Sequence, residues 1–196
     1  SKHHQPRNPT PQNPQSDPLG YCDSFGYWNK LNGAVDEQQR NGGGVFSVFN
    51  GWYKFKVFPS YESAAASRSE YDCMAEYVDA NVPVKLYLDL DLKLDDPDSS
   101  IDDYNDLLET LGATYEDAIV AKANRSNKLS SHVIIPSIIF RNRTELGWWV
   151  QVQPWFNSKI VDTQVYVNRT FKTVDSIKPD KGQETCMTTD DIGSKI

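Results

Sequence analysis

The chain has 196 residues, 38% hydrophobic and 12% aromatic, and carries a formal net charge of −7. That is enough apolar material for one ordinary domain or two small lobes around a filled core. No run approaches the ~18 apolar residues of a membrane span, no basic-then-apolar leader pattern opens the chain, and the scattered Cys22, Cys73 and Cys186 argue against a disulfide framework or a CxxC zinc site. A soluble globular protein of a reducing, intracellular setting is therefore expected, with no membrane partner.

The charge is unevenly spread. Between Asp89 and Asp106 eight Asp stand against one Lys, whereas Lys122 to Lys181 holds ten Lys and Arg against four acids. An acidic, metal-suited pole beside a basic stretch fits a protein that handles phosphates, although a basic run is more often a solvated face.

Residues 1–20, rich in Pro, Asn, Gln and His, read as a disordered tail, and His3-His4 as an incidental polar tract. Tyr21 to Arg40 suits a short helix closed by Asn41-Gly42-Gly43-Gly44, a turn that lacks the Lys-Ser/Thr of a phosphate-binding loop. Strands Val45–Phe49 and Trp52–Phe58 are expected around a two-residue Asn50-Gly51 hairpin turn. Pro59-Ser60 then opens a helix through roughly Val78, with Ser60 as cap and Ala64, Ala65 and Ala66 inside.

The next stretch is the strongest strand signal in the chain. From Val82 to Leu92 the even positions are all aliphatic, while Lys85, Tyr87, Asp89, Asp91 and Lys93 occupy the odd ones. Asp89 and Asp91 therefore share a face about 6.6 Å apart, a spacing from which two carboxylates can converge on a hard cation. Holding them side by side is unfavourable without a cation or hydrogen bonds; the bland alternative is a solvated strand face. A calcium loop fails, because Leu94 stands where that loop needs Gly.

Ile101 to Leu111 reads as a helix capped by Ser100 and ended by Gly112. Ala118 to Asn124 is a short strand and Ser130 to Ile135 a stronger one, followed by Pro136. Thr144 to about Phe156 reads as a helix, and Ile160–Val167 with Arg169–Val174 as a hairpin. The tail beyond residue 182 reads as flexible. Strands and helices mix without βα alternation, so the expected class is α+β with a mostly antiparallel sheet.

Three short signals carry chemistry: Asp89-Leu90-Asp91, Ser130-Ser131-His132 and Val161-Asp162. On a strand Lys128, Ser130 and His132 share a face, so an amine, a hydroxyl and an imidazole can together hold phosphate oxygens. A Ser-x-His or a lone Asp162 is equally ordinary as structure. Together with the Asp pair they supply three carboxylates for divalent metal and a polyphosphate cradle, the parts of metal-assisted nucleotidyl transfer.

In these motifs the chain resembles the archaeo-eukaryotic primase (AEP) superfamily, within it the PrimPol type, over about Phe46 to Lys181. Val84 to Asp91 looks like the first motif, Lys128 to Ile134 the second, and Val161 to Tyr166 followed by Asn168 to Lys172 the third. The resemblance implies a two-lobed primase catalytic core with an RRM-like palm, in the range 21–182, its N-terminal lobe about 21–80 and its metal-binding palm about 81–182. It implies a DNA-directed primase-polymerase of replication. Asp89, Asp91 and Asp162 would bind Mg²⁺ or Mn²⁺, and Lys128, Ser130, His132, Lys172 and Lys178 the nucleotide, facing the carboxylates across a gap wide enough for a triphosphate. The implied partners are a single-stranded DNA template, an NTP or dNTP, and a replicative helicase or single-strand-binding protein, in nucleus, mitochondrion or viral replication site. In departure from the family, Lys172 stands where Arg is commoner, the link from Tyr166 to Phe171 is one residue short, and no Cys/His zinc module follows.

Two rivals come from other classes. A glycosyltransferase also uses Asp-x-Asp, but the βαβ nucleotide-binding region it needs ahead of the pair is absent. A non-catalytic single-strand-binding domain could use Trp148, Trp149 and Trp155 to stack bases, though tryptophans at such spacing more often fill a helix core.

Overall fold

The structure, a computed structural model, describes residues 17–167, 170–172, 176, 186 and 188. It is an α+β fold in which the paired strands among the described residues are all antiparallel and form two sheets. The first sheet has the order β1 (Tyr27–Trp28), β3 (Tyr53–Phe58), β2 (Gly44–Phe49), β4 (Cys73–Tyr77), β8 (Thr170–Lys172). The second has the order β5 (Val84–Lys93), β7 (Lys128–Phe140), β6 (Ile119–Lys122). Helices α1 (Leu31–Asn41), α2 (Tyr61–Ala66), α3 (Ile101–Thr114) and α4 (Arg143–Gln151) complete it. Strands β1 to β4 lie within 21–80, but β8, from the C-terminal part of the chain, returns to pair with β4.

The larger core is built on β5. Leu86, Leu88, Leu90 and Leu92 are buried with Tyr104, Leu107 and Leu111 of α3, Val133 and Ile135 of β7, and Leu146 and Val150 of α4. Ser100 caps α3 by accepting from the Asp103 amide at 3.1 Å, and Asp102 and Asp103 sit in its first turn, where acids complement the helix dipole. A smaller core gathers Phe46, Val48, Phe58, Ala64, Tyr71 and Met74 on the first sheet. α4 approaches closely because residue 147 is Gly: a Cβ there would meet the Tyr166 side chain at 3.1–3.2 Å.

Several expectations are corrected. The helix from Ser60 stops at Ala66, and 73–77 is strand β4: Met74 and Glu76 face the small core with Phe46 and Val48, and the open edge of β2 takes the pairing. The alanine run had suggested helix throughout, but propensity is weak beside such pairing. The Asn50-Gly51 turn is a three-residue loop, since Phe49 pairs Tyr53, with Gly51 at φ +83 as a left-handed turn demands. The helix expected from Tyr21 begins at Leu31, after β1. Gly112 does not end α3, which continues to Thr114. α4 ends at Gln151. Pro136 does not end β7: the strand bulges there, leaving 136–138 unmatched between the Leu86/Ile135 and Lys85/Ile139 pairs.

Among the described residues of 160–174 the expected hairpin takes another form. Val161 makes a single antiparallel bridge to Leu90, Thr163–Tyr166 is a 3-10 turn, and Thr170–Lys172 is β8 on the other sheet. Asp162 is the reason the chain turns, because its Oδ1 accepts from the Gln164 amide at 2.9 Å. In the C-terminal tail, Thr188 exchanges backbone hydrogen bonds with Lys122 at 2.8 and 3.0 Å.

Candidate metal and phosphate site

The site is a lattice of rungs across one face of the second sheet. Antiparallel register places Asp89 opposite His132, Asp91 opposite Ser130 and Lys93 opposite Lys128, and directly opposed residues share a face. On the other edge of β5, the Asp162 amide donates to the Asp89 carbonyl at 2.9 Å and the Asp91 amide to the Ile160 carbonyl at 2.8 Å. Asp162 thus joins the Asp89 rung. One carboxylate oxygen from each of Asp89, Asp91 and Asp162 lies within 4.8 Å of the others.

The carboxylates have graded surroundings. Asp91 Oδ1 accepts from Ser130 Oγ at 2.9 Å and lies 3.1 Å from Lys128 Nζ. Asp89 has the His132 Nε2 at 3.6 Å. Burial pushes the Asp89 pKa well above the ordinary carboxylate range, Asp91 and Asp162 push it further, and Lys128 opposes them. Three all-oxygen donors, crowded enough that one resists ionisation, fit a hard divalent cation such as Mg²⁺ or Mn²⁺, which would relieve the repulsion.

His132 is fixed by a neighbour the sequence did not point to. The Phe171 ring stacks on the imidazole with centroids 4.1 Å apart and planes at 26°, and meets the Tyr87 ring at 4.8 Å with planes tilted by 53°. Phe171 sits in β8, so the first sheet reaches the site through it; only its place beside Lys172 in the third motif hinted at it. Beneath the face, Ser131 points the other way and hydrogen-bonds the Tyr104 hydroxyl of α3, both side chains being buried.

Of the residues expected at the site, Asp89, Asp91, Asp162, Lys128, Ser130 and His132 come together. They do not face one another across a gap: amine and hydroxyl touch Asp91 directly, because β5 and β7 are neighbouring strands. Lys172 pairs Ala75 while Phe171 pairs Glu76, so Lys172 leaves β8 on the face opposite to the Phe171 ring. Lys178 lies outside the described residues. Trp148 is 69% exposed, whereas Trp149 packs against Phe140 and Trp155, so only one of the three tryptophans offers an open ring.

No protein-family model matches the chain, and no curated protein matches it in sequence.

Proposed function

We propose that this chain is a template-directed nucleotidyltransferase, a primase-polymerase catalytic core with the second sheet as its RRM-like palm, joining NTPs or dNTPs on single-stranded DNA. The observation that supports it is the convergence of Asp89, Asp91 and Asp162 within 4.8 Å, beside Lys128, Ser130 and His132 on the adjoining strand. Asp89, Asp91 and Asp162 would hold Mg²⁺ or Mn²⁺; when bound, such cations polarise the phosphoryl oxygens and stabilise charge on the attacking and leaving oxygens.

The chain's own groups supply positioning. The Lys128 amine offers a positive charge and the Ser130 hydroxyl a donor beside Asp91, each able to turn to a phosphate oxygen. The His132 ring, stacked on Phe171, presents Nε2 toward the Asp89 carboxylate at 3.6 Å. Fixed donors of this kind lower the barrier by avoiding reorganisation during the reaction.

The deciding experiment is incorporation of labelled nucleotide on single-stranded DNA, with and without primer, in Mg²⁺ and in Mn²⁺. Wild-type protein should incorporate and Asp162→Asn should not. Near-normal incorporation by Asp89→Ala or Asp162→Ala would overturn the reading.

A further inference from the structure

The Asp91–Ser130 rung is followed, two residues along each strand, by a rung made of cations. Lys93 pairs Lys128, and Lys128 in turn pairs Arg125 through backbone bonds of 2.9 and 3.4 Å across a tight turn. Opposed residues share a face, so Arg125, Lys128 and Lys93 stand in line on the face that carries the three carboxylates. Like charges directly opposite one another destabilise a sheet unless counter-charge is supplied. Asp91 supplies it to Lys128; Lys93, at the open end of β5, is exposed.

We propose that this rung is an anion subsite for the phosphates of a nucleoside triphosphate, with Arg125 and Lys93 as binding residues flanking Lys128. The rung lies one strand period, about 6.6 Å, beyond Asp91, a distance a linear triphosphate spans. Arg125 brings a planar fork that can grip a terminal phosphate through two bonds, which Lys128 cannot do. Lys172 starts from the far face of β8, whereas Arg125 and Lys93 stand on the face of the carboxylates. The ligand's identity rests on the nucleotidyltransferase reading; the anion chemistry does not.

The test is calorimetric titration of inorganic triphosphate into the whole chain at fixed Mg²⁺, comparing wild type with Arg125→Ala, Arg125→Gln, Lys93→Ala and the control Lys122→Ala. Lys122 pairs Ser131, so it sits on the opposite face at equal charge. Arg125 and Lys93 substitutions should each weaken binding about tenfold, the worth of one charge-assisted contact, and Lys122→Ala by less than twofold. Should Arg125→Ala misfold, Arg125→Gln and Lys93→Ala carry the comparison. Absence of triphosphate binding by wild type, or an equal loss in Lys122→Ala, overturns the subsite. So does loss of oligo(dT) affinity with triphosphate affinity intact, which would make the rung a strand-backbone contact. Rung-dependent triphosphate binding without nucleotide incorporation leaves the subsite standing and removes the polymerase reading. Incorporation with normal triphosphate binding by Arg125→Ala and Lys93→Ala does the reverse.

Discussion

The Asp162 amide donates to the Asp89 carbonyl at 2.9 Å, so two acids far apart in sequence are registered by backbone and not by their own side chains. Replacing either carboxylate by the isosteric amide leaves that bond in place. Asp89→Asn and Asp162→Asn should therefore fold, and without metal Asp89→Asn should melt no lower than wild type, since a neutral amide replaces a carboxyl whose ionisation the crowded, half-buried cluster opposes. Mn²⁺ should raise the wild-type Tm and leave that of either variant nearly unchanged. Nucleotide incorporation should fall about a thousandfold or more, as several kcal/mol of transition-state stabilisation disappear. A melting scan with and without Mn²⁺ checks the first part independently of the second.

Phe171 gives a different prediction, because it connects the two sheets. Phe171→Ala should cost about 3–5 kcal/mol of stability, the usual range for emptying a buried aromatic site. Phe171→Leu should retain most of that stability yet loosen the imidazole, for it fills volume without a flat ring to stack on His132. Urea unfolding separates the two variants. A lower nucleotide affinity in Phe171→Leu at near-wild-type stability would show that the stack positions His132.

The parts of the fold that were legible in sequence are those with a dense local pattern. β5 has an aliphatic residue at every even position from Val84 to Leu92, and α3 has both its Ser100 cap and its apolar stripe. β4 was hidden because Ala64 to Ala66 favour helix locally, while the reason for a strand at 73–77 is the distant edge of β2. The turn after Asp162 was hidden because one carboxylate oxygen, bonded to the Gln164 amide, decides it. At the site, motif order sufficed to gather the carboxylates. The contact of Ser130 and Lys128 with Asp91 needed the β5/β7 register, and the Phe171 stack needed a strand from the other sheet; neither is a local property.

Two carboxyls with raised pKa values make stability fall with pH. Glu76, 7% exposed, is pushed by burial from an ordinary value near 4.5 up to about 7, with the Tyr61 hydroxyl and Lys85 opposing the shift; Asp89 is raised as well. A raised folded pKa means the native chain holds a proton that the unfolded chain has released, so stability is lost as pH climbs from the unfolded value through the folded one. For Glu76 that window runs from near 4.5 to about 7, at up to about 1.4 kcal/mol per pH unit. Urea midpoints in EDTA should decline from pH 5 to 8. Glu76→Gln should flatten part of the decline, and Mn²⁺ at pH 8 should recover the part that belongs to Asp89. A midpoint that rises across this range contradicts the assignment.

Ser131 tests the face assignment itself. It sits between Ser130 and His132 in sequence, yet its hydroxyl turns away from them to meet the buried Tyr104 hydroxyl on α3. Ser131→Ala should strand that phenol in an apolar core at a cost of about 1–3 kcal/mol, and Tyr104→Phe should do the same to the serine. The double variant should cost less than the sum, with a coupling of about 0.5–3 kcal/mol in urea unfolding. Triphosphate affinity should remain at the wild-type value in all three variants, while Ser130→Ala should weaken it several-fold at a stability cost near 1 kcal/mol. If Ser131→Ala impaired nucleotide binding as strongly as Ser130→Ala, the two-residue parity that places Asp89, Asp91, Ser130 and His132 on one surface would be wrong.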